Sequence, residues 1–347
     1  LFEEVSDKSR RALGHEHVIF LSSQGNLAAT FARLGRHAEA ERLLLELLET
    51  GRRVLGQEDK EVLAYMGNLA AVYDVQGRYA ESEKLHLEVL ETGQRVWGQE
   101  DPRTLGVMTQ LGVTYYNQRR YHEAAPLFAR LLEIQTRVLG DEHPATLASM
   151  ANLGSVFLSQ SRYAEAEPLL VQALETRRRL LGPEHPNTLF NLNQLASLYE
   201  AQGRYVEAEP LYVEALDARR RLLGERHPDT LVSMNNLAGV YVRQGRHEEA
   251  EPLLGLAVRL GMESLPERHW HRGVLLARHG SCLAKLGLNQ EAEERLLAAY
   301  EVLAKAFGPD DDRTRQVSDF LFDLYQTWVR EEDTQSSAQR PSVHADP

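Results

Sequence analysis

Thirteen histidines are spread along the 347 residues, and His143, His185 and His227 recur at one interval, each followed by proline. Recurrent imidazoles raise metal binding as the first chemistry to test. Ligands of one ion converge to about 2 Å from it. Equivalent positions in stacked helices are instead separated by about 10 Å per helix. The three histidines therefore cannot share an ion and are expected to be loop residues packing against the next helix start. His15-x-His17 and His269-x-His271 lack the helical i, i+4 spacing of a zinc protease and are expected to be exposed loop residues. No phosphate-binding loop, kinase signature, nucleophile elbow or dinucleotide glycine pattern occurs. The expectation is a chain that binds without catalysing, with no metal and no cofactor.

The residues that remain are organised by a period. A marker residue returns every 42 positions as Gly14, Gly56, Gly98, Gly140, Gly182 and Gly224, then as Pro266 and Gly308. Within 182–223, Leu189, Leu192, Leu195, Ala196 and Tyr199 recur at spacings of three and four, the stripe of one helix, A. After Gln202-Gly203-Arg204 a second stripe, Ala208, Leu211, Tyr212, Ala215, Leu216 and Leu222, marks helix B. Glycine just past each helix end accepts a left-handed backbone without a Cβ clash, and Pro186-Asn187-Thr188 opens the next helix. Neither stripe can be buried within one hairpin, so neighbouring copies must stack. Pro126, Pro168, Pro210 and Pro252 lie early in helix B, where a slightly irregular first turn is expected.

Leu195-Ala196-x-x-Tyr199, then Gly203-x-Tyr205-x-x-Ala208 and Ala215, resembles the tetratricopeptide repeat. Asn235-Asn236-Leu237-Ala238-x-x-Tyr241-x-x-Gln244-Gly245-Arg246, followed by Glu249-Ala250-Glu251-Pro252-Leu253, resembles the 42-residue units of kinesin light chain and its bacterial relatives. The resemblance covers roughly 13–328. It implies an all-α, right-handed superhelical solenoid of stacked antiparallel helix pairs acting as a protein-interaction scaffold. The expected organisation is a remnant helix B over 1–12, cut from something longer, then seven helix pairs over 13–307. A capping helix over 308–330 and a disordered tail over 331–347 complete it. Copy three departs at Arg119, where the turn glycine should be; copies four to six are expected to be regular. Copy seven keeps its phase but carries Trp270, His279, Gly280 and Arg295 where proline, leucine, alanine and leucine stood, as terminal units often do.

The resemblance also implies a concave wall built from A-helix residues that the apolar stripe leaves free. Counted from the stripe, these are Asn68, Asn152, Asn193, Gln194, Asn235 and Asn236, with Arg33, Tyr116, Asn117, Arg243 and Lys285 nearer the helix ends. A row of amides offers donors and acceptors to the backbone of an extended peptide whatever its sequence, and the expected ligand of the groove is an extended peptide or a short helix. For Asn26 and Asn68 bonding to neighbouring backbone is an equal alternative. Asn193 and Asn235 belong to the groove more readily, because asparagine is a mediocre helix former. The arginines at 33 and 243 and Lys285 would favour acidic side chains. Arg177-Arg178-Arg179 and Arg219-Arg220-Arg221 close two B helices, where cations suit the helix dipole and could form a basic ridge.

Composition narrows the partner. With 51 acidic against 39 basic residues the net charge is −12, which opposes nucleic acid and anionic membrane. A single cysteine, Cys282, excludes an internal disulfide framework and suits a reducing, cytoplasmic setting. The expected partner is a protein or peptide, with self-association through terminal repeats as a further option. Two other roles fit such an array, the regulatory or sensor region of a larger bacterial signalling protein and a kinesin-light-chain-like cargo adaptor.

Overall fold

The computed structural model describes residues 14–267 and 269–338, which form fifteen α-helices and no strand. They are α1 (Val18–Arg33), α2 (His37–Val54), α3 (Lys60–Val75), α4 (Tyr79–Val96), α5 (Pro102–Asn117), α6 (Tyr121–Leu139), α7 (Pro144–Ser159), α8 (Tyr163–Leu181), α9 (Pro186–Ala201), α10 (Tyr205–Leu223), α11 (Pro228–Arg243), α12 (His247–Ser264), α13 (Trp270–Lys285), α14 (Asn289–Phe307) and α15 (Asp312–Ala338). Odd numbers are A helices and even numbers B helices. The chain divides into two compact units, Leu1–Arg177 and Arg178–Pro347. In the first, each helix from α1 to α7 packs on its neighbours in sequence, and in the second the same holds from α9 to α15. Among the described residues no helix is long and apolar enough to cross a membrane. The remnant helix expected over 1–12 lies outside the described residues. The last helix runs to Ala338 rather than ending at 330, since a helix nucleated by a packed stripe propagates at little cost.

Leucine, methionine and aromatic side chains fill the space between helices. Leu44, Tyr65, Leu69, Phe128 and Leu131 are buried in the first unit, and Tyr212, Leu231, Met234, Leu275 and Leu296 in the second. Each such side chain contributes about 1.5–3 kcal/mol.

One register position caps the A helices. His17, Asp59, Asp101, His143, His185, His227, His269 and Asp311 each accept a hydrogen bond from the backbone N–H two residues on, at 2.8–3.3 Å. The histidines do so through Nδ1, replacing the carboxylate of their neighbours; loss of such a cap costs about 1 kcal/mol. Arg103 donates to Asp101 from side chain and backbone and holds that carboxyl at about 2. His269 and His271 are half-buried rather than exposed; His269 caps the helix and His271 lies in its first turn.

The turn between A and B takes a left-handed residue: Gly77 (φ 74°), Gly203 (φ 74°) and Gly245 (φ 76°), but Arg119 (φ 59°) and Ser161 (φ 58°). Copy four therefore departs from pattern as copy three does. Arg119 makes no kink, for Arg120 N–H donates to Tyr115 O at 2.9 Å, as Arg78 N–H does to Tyr73 O at 2.8 Å. A non-glycine residue costs about 1–2 kcal/mol in this conformation, partly offset because glycine loses more chain entropy on folding. Arg119→Gly and Ser161→Gly should each raise stability by about 1 kcal/mol; an unchanged urea midpoint in both would show that the turn is relaxed.

Helix B begins on an arginine. Arg246 clamps Glu249 through Nε and Nη2 at 2.7 and 2.8 Å, reaches Glu209 through Nη1 at 2.7 Å, and lies 4.3 Å from the centre of the Tyr241 ring. Arg78 repeats this with Glu81, Glu41 and Tyr73, and Arg120 with Glu123, Glu83 and Tyr115. The Gln-Gly-Arg signature is thus a turn residue plus a clamp joining one hairpin to the preceding B helix. Hydrogen bonds from Arg36, Arg78, Arg120, Arg162, Arg204 and Arg246 hold Glu39, Glu81, Glu123, Glu165, Glu207 and Glu249 below the usual carboxylate range. A depressed carboxyl favours the folded state only while ionised. Its contribution is complete above the unfolded value of about 4.3 and disappears as pH falls through the lowered folded value. Stability in urea should drop on acidification below about pH 4, with a shallower slope in Glu81→Gln. A midpoint that stays flat to pH 3 (about one unit below the unfolded value) excludes this source of acid sensitivity.

The B-helix prolines do not disturb the first turn. α6, α8, α10 and α12 remain continuous through Pro126, Pro168, Pro210 and Pro252. All four prolines are exposed, as are His122, Ala164, Val206 and Glu248 four residues earlier, so water can take the carbonyl that proline leaves without a donor.

Candidate peptide-binding groove

The second unit contains a groove of ≈ 580 Å³ walled by α9, α11, α13 and α15, all A helices, with Leu303 of α14 at one edge. Val242, Val274, Ala277, Val317 and Phe320 make its apolar surface, and Arg243, Arg278, Arg313 and Glu200 are its charged members. Arg278 Nη1 donates to the Asn235 carbonyl at 3.0 Å. A Cβ at Gly239 would lie 1.8 Å from that nitrogen, so glycine at this place admits the guanidinium. Burial pushes Arg278 below the usual arginine value; Glu200 and Tyr212 oppose the shift and Arg243 adds to it. The Tyr212 hydroxyl lies 3.1 Å from Glu200 Oε2 and 2.8 Å from Ser197 Oγ, fixing the carboxylate from below. Arg313 is spoken for by Asp311, at 2.8 and 3.0 Å, and lies 3.4 Å from the centre of the Phe307 ring. What is left is two guanidiniums facing one carboxylate over an apolar floor, an arrangement suited to a carboxylate beside an apolar group.

The residues expected from sequence are distributed unevenly. Arg243 lines the groove. Asn235 is 6% exposed and borders a smaller cavity with His271 and Val274, and among the described residues its Oδ1 has no hydrogen-bond partner. Asn193 gives one amide N–H to the Leu189 carbonyl of its own helix at 2.9 Å. Gln194 and Asn236 are half-buried, and Lys285 is exposed at the end of α13, outside the groove lining. In the first unit Asn68 and Asn152 are half-buried, Arg33 and Asn117 are exposed, and the Tyr116 hydroxyl accepts from Ser159 Oγ at 3.2 Å.

Arg278 was missed from sequence, although its signal was present. It stands in the same 42-residue register as Asn68, Asn152, Gln194 and Asn236; one more step along that row finds a cation. The basic ridge is a different matter. Arg177 and Arg219 are buried, and Arg219 Nη1 donates to Ser233 Oγ at 2.5 Å. Arg178 pairs with Glu214 and Arg221 with Glu184, so acidic neighbours take much of the charge expected on the surface.

The family profile described as tetratricopeptide repeat matches residues 19–95, 103–179, 152–220 and 190–261. Among solved structures, the nearly identical TPR-like repeats of a putative kinesin light chain from Podosopora anserina are 28% identical, with a TM-score of 0.51, covering 58% of this chain and 96% of that one. BtubC (BKLC) from P. vanneervenii is 24% identical, with a TM-score of 0.53, over 70% of this chain and 91% of that one. The apo quorum sensor NprR from B. thuringiensis shares the fold at 14% identity and a TM-score of 0.59, over 93% of this chain and 92% of that one. No curated protein matches the chain.

Proposed function

The chain belongs to the tetratricopeptide repeat family, whose arrays are protein-interaction scaffolds, and from that premise we propose that it captures an acidic peptide segment in the groove of its second unit. The observation that carries this reading is the pairing of Arg243 and Arg278 above Val274, Ala277 and Phe320 in one ≈ 580 Å³ concavity. A carboxylate side chain sits between the guanidiniums, and an adjacent apolar side chain lies on the floor. The overall charge of −12 repels acidic segments elsewhere, so a local basic groove selects by position as well as by contact.

Selection from a random peptide library on the folded chain should enrich Asp or Glu next to a large apolar residue. Selected peptides should lose affinity about tenfold in Arg243→Ala and in Arg278→Ala, with helicity retained and with weaker binding at high salt. Enrichment of neutral or basic peptides, or equal affinity in both variants, excludes the groove as the binding surface.

A further inference from the structure

In the seventh hairpin the repeat register is broken by several residues that meet in space. The A-helix position filled by Leu195, Leu237 and Leu321 holds His279, and the B-helix position filled by Leu169, Leu211 and Leu253 holds Arg295. In α12 the position of Val171 and Val213 is Gly255, and the clamp arginine of the next turn is Leu288. Glu251, the equivalent of Glu83 and Glu209, consequently has no clamp to answer and instead places Oε1 3.5 Å from His279 Nε2. His279, Arg295, Gly255 and Glu251 border one cavity of ≈ 620 Å³ between α12, α13 and α14, together with Arg259 and Glu291.

This cavity is polar and unsatisfied. His279 is 6% exposed, and among the described residues neither ring nitrogen makes a hydrogen bond, the nearest partner being Glu251 Oε1 at 3.5 Å; the buried Arg295 Nε has none either. Among the described residues no ion pair within 4.0 Å engages Arg259, Arg295 or Glu291. A Cβ at Gly255 would lie 3.5 Å from Glu251 Oε1 and 3.7 Å from His279 Cε1, so a valine there, as in earlier copies, would occupy the space. Exchanging a buried and a half-buried leucine for histidine and arginine sacrifices apolar burial and strands donors. A ligand carrying both charges reverses that loss.

We propose that this cavity binds a free α-amino acid with an aliphatic or thioether side chain. Its carboxylate meets Arg259 and Arg295, its ammonium meets Glu251 and Glu291, its side chain lies against Leu256 and Met262, and His279 completes the polar contacts. Burial lowers the pKa of His279, which keeps the ring neutral, one nitrogen donating and the other accepting.

Titration calorimetry of the full chain with L-leucine and L-methionine provides the test, with L-leucinamide, which lacks the carboxylate, and 4-methylpentanoate, which lacks the ammonium, as controls. At least one amino acid should bind, with affinity falling about tenfold or more for either control and in Gly255→Val and Arg295→Leu. His279→Leu combined with Arg295→Leu rebuilds the repeat core and should raise Tm while abolishing binding, which separates loss of the site from loss of the fold. The proposal is overturned if neither amino acid binds, if a control binds as tightly as the amino acid, or if Gly255→Val binds unchanged.

Discussion

Gly112→Ala is expected to destabilise the third hairpin by about 2–3 kcal/mol, although it adds one methyl group to a position where other copies carry alanine. A Cβ at Gly112 would lie 2.6 Å from Phe128 Cζ and 2.9 Å from both Cε atoms, and the Phe128 ring is 1% exposed with nowhere to retreat. In the first hairpin the same two places are held by Ala28 and Leu44, both 0% exposed, so alanine fits opposite leucine. Gly112→Ala combined with Phe128→Leu should therefore recover most of the loss, and the double-mutant cycle should show coupling well above the few tenths of a kcal/mol typical of independent sites. Additive effects in denaturant melts would mean that the hairpin spreads to admit the methyl group.

Thr114→Val should cost about 2 kcal/mol, again at a place where neighbouring copies carry the new residue. Thr114 Oγ1 lies 3.0 and 3.1 Å from the two carboxylate oxygens of Asp74. That carboxylate is 13% exposed and stands 3.6 Å from Nε2 of the buried His86. Removing the hydroxyl leaves an almost buried acceptor short of its donor, which costs more than a neutral hydrogen bond gains. The preceding copy has Ala32, Leu44 and Val72 in the places of Asp74, His86 and Thr114, an apolar solution to the same packing problem. Asp74→Ala, His86→Leu and Thr114→Val together should be at least as stable as the parent, because buried polar groups exchanged as a set for apolar ones leave nothing unsatisfied. A melting temperature that falls with each added substitution would refute the account, and one indifferent to Thr114→Val alone would show that water supports Asp74.

Both expectations arise because the copies serve as controls for one another. The same comparison explains how far the chain could be read from its letters. Helix pairs, their turns and their phase were legible, since the 42-residue period, the three-and-four spacing of leucine and alanine, and glycine past the helix ends are local properties repeated many times. The histidines before proline showed their period but not their purpose: a ring that caps a helix through Nδ1 looks, as a letter, like a ring free to bind metal. Arg219 looked like a surface cation beside its neighbours, and only the packing of the next A helix, where Ser233 takes its guanidinium, makes it a core residue.

The row of amides illustrates the division most clearly. Register alone determined that Asn68, Asn152, Gln194 and Asn236 are equivalent, and that Arg278 follows them. Which of them faces open space was decided by tertiary contacts: Gln194 and Asn236 are half-buried, and Arg278 reaches the groove because Gly239, on another helix, has no Cβ. The physical reason is range. Helix formation and its termination depend on neighbours a few residues away, whereas a concavity depends on side chains about a full repeat apart in sequence, whose sizes must agree before any one of them is exposed.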